Sequence, residues 1–177
     1  MTRPAFVAIA VAVAICLALV GCSGDDSASD TTPLASAADL PIVGQIDEAI
    51  AALEGALGGP QEYFEINATA QLVNLFVALD EGTTVQPWLY LDGELTVEEP
   101  TPAGGGVLRA TDLDFDPTII FSQLLSQLPG ATVESFYVHG DGQGAVQYGA
   151  LLTTSQGGAL SVELGPEGEI LSSEPLN

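Results

Sequence analysis

The hydrophobic pattern of this chain changes period several times. Ala5 to Val20 is apolar without a break and is followed by a polar tract rich in Ser, Thr, Ala and Asp. That run is shorter than the roughly 20 residues a membrane-spanning helix needs, but it suits the apolar region of a cleaved secretory signal. Further on, Ile46, Ile50, Leu53 and Leu57 recur at helical spacing. Asp47 and Glu48 fall in the first turn, where the helix dipole favours them, and Gly58-Gly59-Pro60 ends the pattern. A period of two then takes over. Tyr63 to Thr69 and Leu72 to Leu79 read as strands, the second placing Val73, Leu75, Val77 and Leu79 on one face. Asp80-Glu81-Gly82 turns the chain into Val85 to Leu91, and Asp92-Gly93, a strong hairpin dipeptide, leads to Glu94 to Val97.

The order helix, then strands, recurs. Asp116-Pro117 is an N-cap followed by proline at the first helical position. Ile120, Phe121, Leu124, Leu125 and Leu128 form the stripe of a helix from Pro117 to Leu128, and Pro129-Gly130 stops it. Strands are predicted at Thr132 to His139, Ala145 to Leu152 and Leu160 to Leu164, with a closing hairpin through Gly165-Pro166-Glu167-Gly168 to Ile170-Leu171. The expectation is an α+β fold of two helix-then-antiparallel-sheet units, with the helices packed on the sheet. The organisation predicted is a signal peptide at 1–21, an unfolded tether at 22–40 and one α+β domain at 41–177. That domain is readable as repeat units 41–100 and 107–177 joined by the Pro- and Gly-rich linker Pro100 to Gly106. The tether holds too little apolar surface to fold.

The folded part has the size of one ordinary domain and is apolar enough to fill a core. Charge narrows its partners. The net charge is −22, from 24 acidic residues against two arginines and no lysine. Arg3 precedes the apolar run, which leaves Arg109 as the sole side-chain cation of the exported part. Nucleic-acid binding needs a basic footprint, so it is excluded, as is polybasic attraction to anionic lipid. Such acidity serves solubility or adaptation to salt; attraction of cations or a basic partner is the sharper alternative.

The apolar run ends in Leu19-Val20-Gly21-Cys22, and these four residues, with Arg3 before the run, resemble the lipobox of bacterial lipoproteins. The resemblance implies cleavage before Cys22, lipidation of Cys22, and anchoring on the extracytoplasmic face of the cell membrane. Cys16 would leave with the signal and Cys22 would become a thioether. No thiol would remain for a disulfide, a nucleophile or a thiolate metal site.

The helix Ile46 to Leu57 with the Asp92-Gly93 hairpin, and the helix Pro117 to Leu128 with the Gly165 to Gly168 hairpin, give an order that resembles PepSY-type modules and the tandem-unit β-lactamase-inhibitor fold. Such modules imply a non-catalytic role, binding or restraining a secreted enzyme or another envelope protein.

Catalysis finds little support in the residues. His139 is the sole imidazole and sits where a strand enters the turn Gly140 to Gly144. No Gly-x-Ser-x-Gly elbow occurs, and that turn lacks the lysine of a phosphate loop. Asp112, Asp114 and Asp116 alternate with Leu113 and Phe115, which puts three carboxylates on one edge of an extended segment. They are weak candidates for a hard cation such as Ca²⁺. The EF-hand pattern fails, since Pro117 follows Asp116 and Gln123 holds the twelfth place. Trp88 and Tyr90, on a strand apolar on both faces, are the candidate partner-binding residues; burial between sheet and helix is the competing expectation. The chain is therefore expected to be a lipid-anchored, cofactor-free, non-catalytic binding or inhibitory module. A carrier of a small hydrophobic or lipid ligand and a weak divalent-cation binder are the alternatives, and a carrier would require an enclosed cavity.

Overall fold

The structure, a computed structural model, describes residues 40–176. The predicted signal peptide, Cys22 and the predicted tether up to residue 39 lie outside the described residues. A 3-10 turn at Val43–Gln45 leads into helix α1 at Ile46–Leu57, which closes on Gly58 in the left-handed conformation. Strands β1 (Glu62–Thr69), β2 (Val73–Leu79), β3 (Thr84–Leu91) and β4 (Glu94–Val97) follow. Asp92 (φ 50°) and Gly93 (φ 85°) make the tight β3–β4 turn in the left-handed region that short hairpins require. Two short strands come next, β5 (Thr101–Pro102) and β6 (Leu108–Arg109), then helix α2 (Pro117–Gln127). The chain finishes with β7 (Thr132–Gly140), β8 (Val146–Thr153), β9 (Ala159–Leu164) and β10 (Ile170–Leu176).

These elements do not make two helix-then-sheet units, and that expectation is corrected. All ten strands join one antiparallel sheet in the order β10-β9-β8-β7-β1-β2-β3-β4, with β5 paired to β3 and β6 to β1. The seam is β1 against β7, in register from Glu65↔His139 to Thr69↔Ser135. Helix and strand periods are local properties, whereas strand neighbours are a long-range choice. Here the first strand after each helix finds the other across the middle of the sheet, which satisfies backbone groups that two separate units would leave at exposed edges. The stretch read as a linker is also part of the sheet. β5 and β6 lie within or beside it, and Gly106 bridges to Gly140. Pro87, which has no N–H to donate, falls between the rungs of β3 with β4 and with β5.

Both helices cover one face. Ile46, Ala49, Ile50 and Leu53 of α1 and Ile120, Phe121 and Leu124 of α2 share a single core with Tyr63, Ile66, Ala68, Leu75, Val77, Phe136, Val138, Ala150 and Leu152 from the strands. Asp116 caps α2, accepting from Thr118 N at 2.8 Å. Phe121 meets Phe136 edge-on at 5.9 Å, and Phe115 lies 5.3 Å from Phe136. Gln127 fastens the end of α2, donating to Gly168 O and accepting from Ile170 N. No helix among the described residues is long and apolar enough to cross a membrane.

Candidate functional site

Among the described residues no helix lies on the other face of the sheet, and a groove of about 470 Å³ lies on it. A β-bulge creates the groove. The β1–β2 register slips between Tyr63 and Glu65, so Tyr63 faces Val77 in the core while Glu65 faces Phe76. The extra residue lets Phe64 and Glu65, adjacent in sequence, both line the groove. Phe76 of β2 and Val85 of β3 extend its apolar floor, and Tyr137 and His139 of β7 form the opposite wall.

That wall is held in place. The Tyr137 ring lies flat over Gly149 on β8, where an added Cβ would come within 2.4 Å of the ring, so only glycine fits beneath it. The phenol and Ser161 Oγ are hydrogen-bonded at 3.0 Å. Tyr137 and His139 stack with centroids 5.9 Å apart. His139 Nε2 lies 2.8 Å from Gln147 Oε1, an acceptor, so Nε2 is the donor.

Ala103 to Gly106 form the upper rim. Ala103 N donates to Thr83 O at 3.0 Å, and Gly106 crosses Gly140 so closely that a Cβ on Gly106 would lie 2.1 Å from Gly142 N. The rim is thus tied down at both ends, and its exposed residues Gly104 and Gly105 present backbone without side chains.

Charge around the groove has one sign. Glu65 is the only carboxylate in its lining, and no arginine or lysine lines it. Glu65 accepts from Asn67 Nδ2 at 3.3 Å and has no ion-pair partner among the described residues. Arg109 is engaged elsewhere, donating from Nε and Nη2 to Glu62 Oε1. The turn after β7 offers no anion site. Its backbone donors Gln143 N and Ala145 N go to the carboxylate of Asp141 at 2.6 and 2.9 Å, and these bonds hold Asp141 below the usual carboxylate range. The lining holds no serine, threonine, cysteine or lysine. What it offers is shape, aromatic surface, one carboxylate and the His139 imidazole.

The residues singled out in the sequence lie elsewhere. Tyr90 is buried at 3 % exposure on the helix-covered face, with its phenol held above its ordinary pKa by the Glu48 carboxylate beside it. Trp88 is half-buried on the same face, opposite Leu75, and its indole N–H meets no protein acceptor. The pair therefore does not form an exposed recognition patch. Asp112 accepts from Arg109 N at 2.8 Å, Asp116 caps α2, and the backbone N–H and C=O of Asp114 are both bonded to Tyr148 Oη at 3.1 Å. Among the described residues no three His, Cys, Asp or Glu side chains gather to hold a metal. Cys22 lies outside the described residues.

Sequence reasoning passed over Phe64, Glu65, Phe76, Val85 and Tyr137. One signal was present: Phe76 is a large apolar residue out of phase with Val73, Leu75 and Val77, so it had to point away from their face.

No family model matches this chain, and no curated protein matches it. The expected kinship with PepSY-type or inhibitor modules therefore has no support from these comparisons. Among solved structures, the fold is similar to that of a putative lipoprotein from Clostridium difficile. The TM-score is 0.53 with 11 % identity, over 78 % of this chain and 94 % of the other. At that identity the likeness is one of fold.

Proposed function

We propose that this chain is an exported lipoprotein, held on the extracytoplasmic face of the cell membrane by lipid on Cys22, and that its domain is a non-catalytic module binding another envelope or secreted protein. The anchoring half rests on the apolar run ending in Leu19-Val20-Gly21-Cys22, and the shared fold with a protein described as a putative lipoprotein agrees with it. The observation that carries the binding half is the groove on the helix-free face, floored by Phe64, Phe76 and Val85. Apolar side chains on a face that no element among the described residues covers favour contact with a partner. The helix-covered face supports a carrier less well, because its side chains pack into a continuous core, with Leu75, Phe136 and Leu152 all at 0 % exposure.

Two experiments test the two halves. Cells fed a labelled fatty acid should incorporate it into the native chain and not into a Cys22→Ser variant, which should also leave the membrane fraction. Label retained by the variant would overturn the anchoring. In the membrane-anchored protein, a photo-crosslinking residue at position 76 should trap a protein that the same residue at Ser122, on the exposed side of α2, does not. Lipid adducts alone would move the reading to a carrier, and adducts at neither position would end the binding proposal.

A further inference from the structure

Building on the binding reading above, we infer that the groove seats a basic side chain, arginine or lysine, flanked by apolar residues, from a segment of the protein partner. Three observations converge. First, Phe64, Phe76 and Tyr137 place three aromatic rings around one open space, and the face of an aromatic ring attracts a guanidinium or ammonium. Second, Glu65 stands among them half-buried and without an ion-pair partner, while His139 directs Nε2 to Gln147. A carboxylate beside an apolar floor is partly desolvated, so an incoming cation gains more there than at an open surface. Third, Gly104 and Gly105 leave the upper rim free of side chains, giving a partner's main chain room to run past while its side chain enters.

Charge also decides the source of the cation. A second copy of this chain would bring a net charge of −22, and its one arginine beyond the apolar run, Arg109, is already bonded to Glu62. Residues 22–39 hold Asp25, Asp26, Asp30 and Asp39 and no lysine or arginine, so the chain's own N-terminal part supplies no side-chain cation either. The occupant therefore comes from another protein, and the acidic surface would speed its approach in a salt-dependent way.

The test uses the full chain in lipid nanodiscs and a phage library of random linear heptapeptides. Enriched sequences should carry arginine or lysine next to an aliphatic or aromatic residue. Synthetic versions should bind Glu65→Gln about tenfold or more weakly, the loss expected for one charge-assisted hydrogen bond. The conservative Phe76→Leu should weaken them less, while both variants keep the parent melting temperature. Added salt should weaken binding to the parent more than to Glu65→Gln. Enrichment without basic residues, no enrichment at all, or unchanged affinity in Glu65→Gln would each overturn the inference. If position 76 still crosslinks a protein in cells while Glu65→Gln is without effect, the basic-side-chain inference falls and the binding module stands. If nothing crosslinks, the broader reading has failed.

Discussion

The two faces of one sheet show how differently the same strands can be used. On the helix-covered side, Ile66, Val73, Leu75, Val77, Phe136, Val138, Ala150 and Leu152 all sit at 0 % exposure, and each finds an apolar neighbour from α1, α2 or the next strand. On the free side, the alternate residues are mixed. Asn67 faces Asn74, Glu65 faces His139, and Phe64, Phe76 and Tyr137 are only half-buried. An antiparallel sheet ordinarily turns a polar face to water. Here that face keeps large rings that folding only half buries. The covered face therefore holds the fully buried core, and the free face is where the proposed binding groove lies.

Matched truncations break or sharpen this contrast most strongly. Phe136→Ala removes a ring held between Phe115, Phe121 and Tyr148, and should cost about 3 to 5 kcal/mol in denaturant unfolding. Phe76→Ala on the free face should cost less than half as much, because its ring already meets solvent. Equal losses would mean that the free face is as structural as the covered one.

Next in size is the crossing that shapes the rim. Gly106→Ala forces a Cβ against the Gly140–Gly142 backbone and should cost about 1 to 3 kcal/mol. Amide exchange should rise first at residues 103–107, and the covered core should stay protected. Simultaneous loss of core protection would show that the rim and the core form one cooperative unit.

Tyr63 probes the covered face from beneath. Its phenol donates to Glu54 Oε1 at 3.2 Å, and burial, together with that carboxylate, pushes its pKa well above the usual phenol value. Since the folded state favours the protonated form, this stabilisation is present below the unfolded-state pKa of about 10 and is lost as pH rises beyond it. Tyr63→Phe should cost about 1.5 kcal/mol at neutral pH, as expected for a long hydrogen bond to a charged acceptor. It should also flatten the alkaline side of a stability-against-pH curve. A curve as steep as the parent's would assign that side to other groups.

The smallest effect expected is at Asp116. Replacement by Ala removes the cap of α2 and should lower stability by about 1 kcal/mol, measured by thermal melting, with peptide binding at the groove unchanged. Weakened binding would link α2 to a face it does not touch.

The positions of α1, α2 and the eight longer strands follow from local signals such as the stripe Ile46-Ile50-Leu53-Leu57, the Asp116-Pro117 cap and the Asp92-Gly93 turn. Each acts over a few residues, and the structure keeps the elements they mark, with Leu57 at the end of the first stripe left exposed. The Ala5 to Val20 run and the strong acidity are likewise properties of composition, independent of folding. What a one-dimensional pattern could not set was the pairing of β1 with β7, which links residues about 70 positions apart; closing so long a loop carries an entropic cost that no local pattern encodes. Nor could it set the bulge at Phe64, which puts two adjacent side chains on one face and so makes the groove. An extra residue in one strand is invisible until the partner strand is known, because register exists only between strands.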